Sequence, residues 1–284
     1  MKERILMMGL GAMGSVLAKL LLENGKSVTL WNRSEEKARP LKAIGGIYTP
    51  DLSEAVAAND IIIICLHDYA VTEQVLQGIS LEGKTIVQLS TGTPQDARLM
   101  AASFEHRGAV YLDGAILATP SQMGTPHTPI FLSGNKLAWT RTEAILRILG
   151  GALSYYGEAP GIAAAWDIAA LSSMFGMMIG FLNGARIVES EGLQVADLGN
   201  MVYEIAPVLA QMVKDTSDDI QQQKYDNPQS SLDICAGTFD LMVRLSAENK
   251  LDPGFAQFAR QLFRKGLDAG YGQQRISALM KVLR

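Results

Sequence analysis

Six residues near the start of the chain, GLGAMG at positions 9–14, restrict what can surround them. They follow a short apolar run, RILMM, and lead into AMGSVLAKLLLEN, where apolar residues recur at helical spacing. A strand, a glycine turn and a helix in this order leave the helix N-terminus with free amide hydrogens, which is where a phosphate binds. Gly9 makes the tight turn, Gly11 lets a pyrophosphate reach the backbone, and Gly14 lets the helix pack on the sheet. Leu10, Ala12 and Met13 complete the loop. The pattern predicts a dinucleotide site opening a βαβ unit, with the second strand at 27–31.

The same alternation continues to about residue 156. Residues 34–44 read as a helix ending at Gly45-Gly46, DIIIIC (60–65) as a fully buried strand, and TIVQLS (85–90) as another. A helix opens at Pro94, and AVYLDGAI (109–116) and PIFLSG (129–134) complete the sheet. The fold class is α/β, a doubly wound, mostly parallel Rossmann sheet with helices on both faces. After Pro160 the alternation stops and the chain reads as helical to its end. The domains are therefore 1–160 for coenzyme binding, 161–190 as one long interdomain helix, and 191–284 as an all-α dimerisation and substrate domain.

Which dinucleotide binds is decided after the second strand, where an NAD enzyme offers an acid to the ribose hydroxyls. Here the chain reads LWNRSEEK. Asn32 replaces the acid, Arg33 offers a planar fork to a phosphate, and Ser34 and Lys37 add a hydroxyl and a charge. A 2′-phosphate suits this set, so NADPH is the expected coenzyme. The bland alternative for Arg33 is solvated surface charge. Glu35 and Glu36, in the first turn of the next helix, point away and complement its dipole.

The stretch 161–185, GIAAAWDIAALSSMFGMMIGFLNGA, holds one charge, Asp167. Its length matches the ~20 residues needed to cross a bilayer. Against that, an Asp near the middle costs roughly 2.5 to 3.5 kcal/mol on insertion scales, and no other segment qualifies. The expectation is a helix covered by protein on all sides, part of it from a partner subunit. Gly176, Gly180 and Gly184 recur every four residues and would let another backbone approach. Burying a lone carboxylate is costly, so Asp167 has a function or a structural partner such as an arginine. Leu171, Met174 and Met178 share its helical face, with Phe175 at the edge, as an apolar wall for substrate or as plain core.

A net charge of −4, with 48% apolar and 19% charged residues, gives no basic excess for nucleic acid or an anionic membrane. Cys65 and Cys235 lie far apart among apolar or small neighbours and read as reduced thiols in a cytoplasmic protein. His67, His106 and His127 show no ligand spacing, so no metal is expected. The start, MKERILMM, reads as leading straight into a strand and not as an export signal.

GLGAMG, WNRS, ICLHDY, LSTGTP (89–94), DGAILATPSQMGTP (113–126) and YGEAPGIAAAWDIAAL (156–171) together resemble the β-hydroxyacid dehydrogenase superfamily, and within it the imine reductases. The resemblance spans essentially the whole chain. It implies NADPH-dependent reduction of cyclic imines, with reductive amination of ketones as an extension. It puts Cys65, Leu66 and Thr91 at the coenzyme, His67 nearby, and Thr91, Leu171, Met174, Phe175 and Met178 at the substrate. Where the hydroxyacid enzymes carry a catalytic Lys, and an Asn four residues on, this chain has Asp167 and Leu171. Their Ser-Gly-Gly carboxylate loop is matched by Leu117, Ala118 and Thr119. A carboxylate in place of a cation suits an iminium, so Asp167 becomes the proton donor or iminium stabiliser. Phe175 stands where many imine reductases have Tyr, which leaves Asp167 alone or assisted by Thr91 or Tyr203. The family architecture implies a homodimer with exchanged helical domains and each site between two subunits. The rivals are a hydroxyacid or semialdehyde dehydrogenase of the superfamily, and a non-catalytic NADP-binding protein.

Overall fold

A computed structural model describes residues 3–284; Met1 and Lys2, at the head of the run read as leading into the first strand, lie outside the described residues. The chain forms β1 (Arg4–Met8), α1 (Ala12–Glu23), β2 (Ser27–Trp31), a 3₁₀ turn (Glu35–Ala38), α2 (Arg39–Lys42), β3 (Ile47–Tyr48), α3 (Leu52–Ala58) and β4 (Ile61–Ile64). There follow α4 (Tyr69–Leu76), β5 (Thr85–Gln88), α5 (Pro94–His106), β6 (Val110–Ile116), β7 (Pro129–Gly134), α6 (Lys136–Leu149) and β8 (Ala152–Tyr155). The strands build one sheet in the order β3-β2-β1-β4-β5-β6-β7-β8, parallel throughout except between β6 and β7.

Alternation along the strands sorts the core. Ile5, Met7, Ile63 and Leu112 enter one layer with Leu17 and Leu21 of α1, while Leu6, Met8, Ile62 and Ile64 enter the other with Phe104 of α5. The order reverses between β1 and β4, and the crevice at such a switch point, beyond the strand C-termini, is where sheets of this type take ligands. Residues 34–44 are not one helix. Pro40 would fall in its interior, without an N–H and with its ring against the preceding turn; the chain instead restarts at Arg39, so that Pro40 sits in a first turn.

After β8 comes α7 (Ile162–Ser190), one unbroken helix of 29 residues. Gly161 precedes it at φ +89°, and a Cβ there would stand 2.6 Å from the Pro94 carbonyl oxygen, so only glycine fits. The remaining helices are α8 (Val195–Glu204), α9 (Ala206–Gln222), α10 (Leu232–Glu248), α11 (Gly254–Asp268) and α12 (Met280–Leu283). The chain divides into two compact units, Met1–Ser172 and Ser173–Arg284, and the division falls inside α7, not at either of its ends.

In the second unit, α10 and α11 pack around Leu232, Ala236 and Phe263, with the Phe239 and Phe263 rings 4.8 Å apart. Much of α7 is bare: Trp166, Phe175, Met177, Ile179 and Leu182 are each more than half exposed. An 18-residue window of α7 has mean hydropathy 1.6 and is long enough to cross a membrane. The full burial expected of this helix is therefore absent within one chain. The glycine row meets side chains, not backbone: Phe255 lies 3.7 Å from a Cβ built on Gly180, Leu198 lies 3.5 Å from one on Gly184, and Gly176 faces open space.

Candidate active site

Each glycine of the first turn has a separate physical reason. Gly9 has φ +95°, and a Cβ on it would stand 2.3 Å from the Cys65 carbonyl oxygen. On Gly14 a Cβ would stand 2.0 Å from the Gly9 carbonyl, whereas on Gly11 it would meet nothing within 4 Å. Gly9 and Gly14 are thus demanded by the fold, and Gly11 by whatever enters the crevice. The first bond of α1 runs from the Ser15 N–H to the Gly11 carbonyl at 3.0 Å, and no side chain caps the helix. The amides of Ala12, Met13 and Gly14 precede that bond and are available to an anion. This open cradle at an uncapped N-terminus fits a dinucleotide pyrophosphate.

A cleft of about 700 Å³ holds Gly9, Gly11, Ala12, Met13 and Gly14 together with Asn32, Arg33, Lys37, Cys65 and Leu66. Leu10 and Ser34 do not line it. The Leu10 side chain is buried and its amide donates to Asn32 Oδ1 at 3.0 Å, while Asn32 Nδ2 donates to the Ser34 carbonyl at 2.9 Å. Asn32 is therefore a clasp between the glycine loop and the end of β2, with both ends of its amide engaged inside the protein. Arg33 and Lys37 make no ion pair with the described residues, and Glu35 is turned to Lys42 at 2.9 Å. Two cations are left facing the crevice. Trp31, Val71 and Val75 also line this cleft and carried no sequence signal; the two valines stand on α4, an element too short to declare its period.

A smaller cleft of about 300 Å³ shares Met13, Cys65, Leu66 and His67 with the first and adds Ser90, Thr91, Ala115 and Ala118. Thr91 lines it without a hydrogen bond to the described residues, because the cap of α5 is made by Thr93, whose N–H and hydroxyl both reach Asp96 (2.8 and 2.7 Å). Thr119, in the loop matched to the lost Ser-Gly-Gly, is used locally: its N–H and hydroxyl both donate to Gln122 Oε1, at 2.9 and 3.0 Å. Burial pushes the Cys65 thiol up to about 11, so it stays protonated and unreactive. Among the described residues no group of three or more His, Cys, Asp or Glu could hold a metal.

Asp167 is 5% exposed and has neither a hydrogen bond nor an ion pair with the described residues. No arginine claims it. Burial raises its pKa above the ordinary carboxylate range. Asp167 lines neither cleft. Leu171 is half-buried on the same helix, and Met174, Phe175 and Met178 stand exposed farther along it, at 43%, 56% and 43%.

Residues 4–157 match the family described as the NAD binding domain of 6-phosphogluconate dehydrogenase, and residues 159–284 match the C-terminal domain of NADPH-dependent reductive aminase-like proteins. An NADPH-dependent reductive aminase of Aspergillus oryzae is 32% identical over 99% of this chain and 97% of its own. The chain belongs to the imine reductase and reductive aminase family. Within that family, the imine reductase of Myxococcus stipitatus in complex with NADP+ superposes with a TM-score of 0.94 at 31% identity, over 99% of this chain and 100% of that one. A reductive aminase of Aspergillus terreus in complex with NADPH4, cyclohexanone and allyl amine gives the same score and identity over the whole of both chains. A glyoxylate/succinic semialdehyde reductase of Arabidopsis thaliana is more distant, 28% identical over 66% of this chain and 53% of its own.

Proposed function

We infer that this imine reductase family member reduces carbon–nitrogen double bonds with NADPH, taking cyclic imines and also the imines formed when a ketone meets an amine. The observation that carries the reading is Asp167, an acid withdrawn from water, unpaired, and protonated more readily than an ordinary carboxylate. A hydroxyacid substrate would bring a second negative charge toward it; an imine nitrogen accepts its proton. The relative solved with cyclohexanone and allyl amine supports the extension to reductive amination.

The coenzyme supplies the hydride when bound. The protein's residues divide the rest of the work. The amides at the start of α1 receive the pyrophosphate, and Arg33 and Lys37 receive the 2′-phosphate, a charge-assisted contact that NADH cannot make. Asn32 holds the loop in shape for both. Thr91 offers an uncommitted hydroxyl at the second cleft. Asp167 gives its proton to the nitrogen of a neutral imine, and balances the charge of a substrate that arrives as an iminium. Phe175 has no hydroxyl, so the proton comes from Asp167. Met174, Met178 and Leu171 offer the apolar wall.

The bare apolar surface of α7 supports a homodimer with exchanged helical domains, each site being completed by the partner subunit. A cytoplasmic protein that touches no membrane follows from this reading, in which a second copy covers α7. Oxidation of NADPH with 2-methyl-1-pyrroline, set against NADH with the same imine and against NADP with 3-hydroxyisobutyrate, is the test. Turnover in the first assay alone is expected. Activity only with the hydroxyacid would move the chain to the dehydrogenases, and binding of NADPH without turnover would make it a coenzyme-binding protein.

A further inference from the structure

Gln88 stands on β5, inside the sheet, and none of it is exposed. Alternate residues of a strand point to one side, so Gln88 shares with Ile86 the layer that α4 and α5 cover. A buried amide is tolerated there only if its atoms are hydrogen-bonded, and both ends of this one are. Gln88 Oε1 accepts the Ser90 hydroxyl at 3.3 Å, and the Ser90 oxygen accepts the Leu66 N–H at 3.1 Å. Gln88 Nε2 donates to the Thr72 oxygen at 3.0 Å, and the Thr72 hydroxyl donates to the Asp68 carbonyl at 3.0 Å. The Asp68 side chain in turn caps α4 by accepting the Val71 N–H at 2.7 Å. The other polar residues of the row are engaged elsewhere. Asp113, the register partner of Gln88 on β6, accepts the Tyr69 and Tyr111 hydroxyls at 2.5 and 3.1 Å and faces the Ala164 amide, while Ser133 on β7 accepts the Ala163 N–H at 3.0 Å.

This series of bonds has one workable arrangement of protons. Thr72 gives its hydrogen to a carbonyl and so can only accept from position 88; Ser90 holds the Leu66 N–H on its oxygen and has its own hydrogen left to give. Position 88 must therefore offer an acceptor to one hydroxyl and a donor to the other, which neither a carboxylate nor an apolar side chain does. What it joins are the two ends of one short loop. Residues 65–68 run from β4 to α4, with Leu66 tied through Ser90 and Asp68 through Thr72. On its other side the loop is pressed against the glycine turn, where a Cβ on Gly9 would stand 2.3 Å from the Cys65 carbonyl oxygen. The same loop is the wall common to the two clefts: Cys65, Leu66 and His67 line both, and Val71 and Val75, just beyond the Asp68 cap, line the first. A dinucleotide that reaches from the glycine turn into the second cleft is fitted along it.

We propose that Gln88 is a positioning residue for the reaction: by bracing Leu66 through Ser90 and Asp68 through Thr72, it fixes the loop that sets where the reactive end of the coenzyme lies. Gln88 lines neither cleft and acts only through those two hydroxyls. The proposal rests on the reading of the two clefts as the coenzyme's. On that reading the phosphates are held away from the loop, by the amides of α1 and by Arg33 and Lys37, so a loosened brace should slow hydride transfer and leave coenzyme affinity as it was.

The test compares Gln88→Leu, Thr72→Val and Thr72→Ser with the unaltered protein. Thr72→Val keeps the shape of the side chain and loses the hydroxyl, whereas Thr72→Ser loses a buried methyl and keeps the hydroxyl. Without coenzyme, hydrogen exchange at the Leu66 amide should quicken by about tenfold in Gln88→Leu, by less in Thr72→Val, and stay slow in Thr72→Ser. With NADPH and 2-methyl-1-pyrroline, kcat should fall by about 10 to 10² in Gln88→Leu and Thr72→Val, with NADPH affinity by fluorescence quenching unchanged. NADPH deuterated at the transferred hydrogen should show a larger isotope effect in both. Thr72→Ser should regain the kcat that Thr72→Val loses; rescue by the hydroxyl, and not by the volume, separates positioning from packing. A folded Gln88→Leu with the unaltered kcat overturns the proposal, whether or not its Leu66 amide exchanges faster; should that variant not fold, equal kcat in Thr72→Val and Thr72→Ser does so. Either result leaves the clefts to the coenzyme. NADPH that binds the unaltered protein without slowing exchange at residues 65–68 would instead defeat the reading of the clefts, and this proposal with it.

Discussion

The two units of the chain treat apolar surface in opposite ways. In the first, every residue of β4 is buried and α1, α5 and α6 each press a set of apolar residues onto the sheet, so the unit closes its own core. In the second, α8 and α9 bury no residue, and the middle of α7 is apolar and bare. Patches of this kind mark a surface that something else covers. On the proposed reading, the sheet unit holds the coenzyme and the helical unit, whose apolar surface is left bare, is finished by a second copy.

The largest effect should come from spoiling that second copy. Met177 is 59% exposed, so a charge there should do little to an isolated chain. Met177→Glu is expected to turn a dimer into monomers by light scattering at micromolar concentration and to abolish imine reduction, while NADPH still quenches protein fluorescence. A monomeric unaltered protein, or one recovered only in detergent, would break the comparison. The next effect is chemical. Asp167→Asn keeps size and polarity but has no proton to give, and kcat should fall by ~10² to 10⁴, with NADPH affinity unchanged. Equal turnover would leave Asp167 without a role.

Smaller again is the coenzyme phosphate. Arg33→Ala removes one charge-assisted contact of about 1.5 to 3 kcal/mol, so KM for NADPH should rise roughly tenfold or more while KM for NADH stays put. A parallel rise in both would mean that Arg33 shapes the loop and does not read the phosphate. Asn32, whose amide is engaged with Leu10 and Ser34, is the residue for which a parallel rise is expected.

How much of this was legible in the sequence follows from where each signal lies. Local chemistry was readable: the glycine turn, strands 4–8, 27–31 and 129–134, and the long helix all declare themselves within a few residues. Elements too short to repeat their pattern more than about twice were not, which is why β3, with two residues, and α4, with eight, left no trace. The roles of Asn32 and Gln88 were hidden for another reason. Each is decided by atoms far along the chain, the Leu10 amide for one and the Thr72 hydroxyl 16 positions away for the other. Asp167 could be singled out because a lone charge in an apolar helix is conspicuous without its neighbours; Gln88, in a strand of mixed composition, is not.

The smallest expected effect separates the buried acids of the sheet unit from the acids of its surface. Asp113 is raised to about 6 in the folded protein, above the ordinary value near 4 that it regains on unfolding. Between those two values the folded state binds more protons than the unfolded one, so stability falls as pH rises through the window. One group can contribute a slope of at most about 1.4 kcal/mol per pH unit. Surface acids held low by a cation, such as Asp60 beside Arg4 at 2.8 Å, act with the opposite sign and lose their contribution as pH falls, but exposure and salt screen them. Urea unfolding at pH 4.5 and 6.5 should therefore show a downward trend for the unaltered protein that flattens in Asp113→Asn and is insensitive to Arg4→Ala. An identical trend in Asp113→Asn would mean that the buried carboxyl is already charged at pH 4.5, held there by Tyr69, Tyr111 and the Ala164 amide.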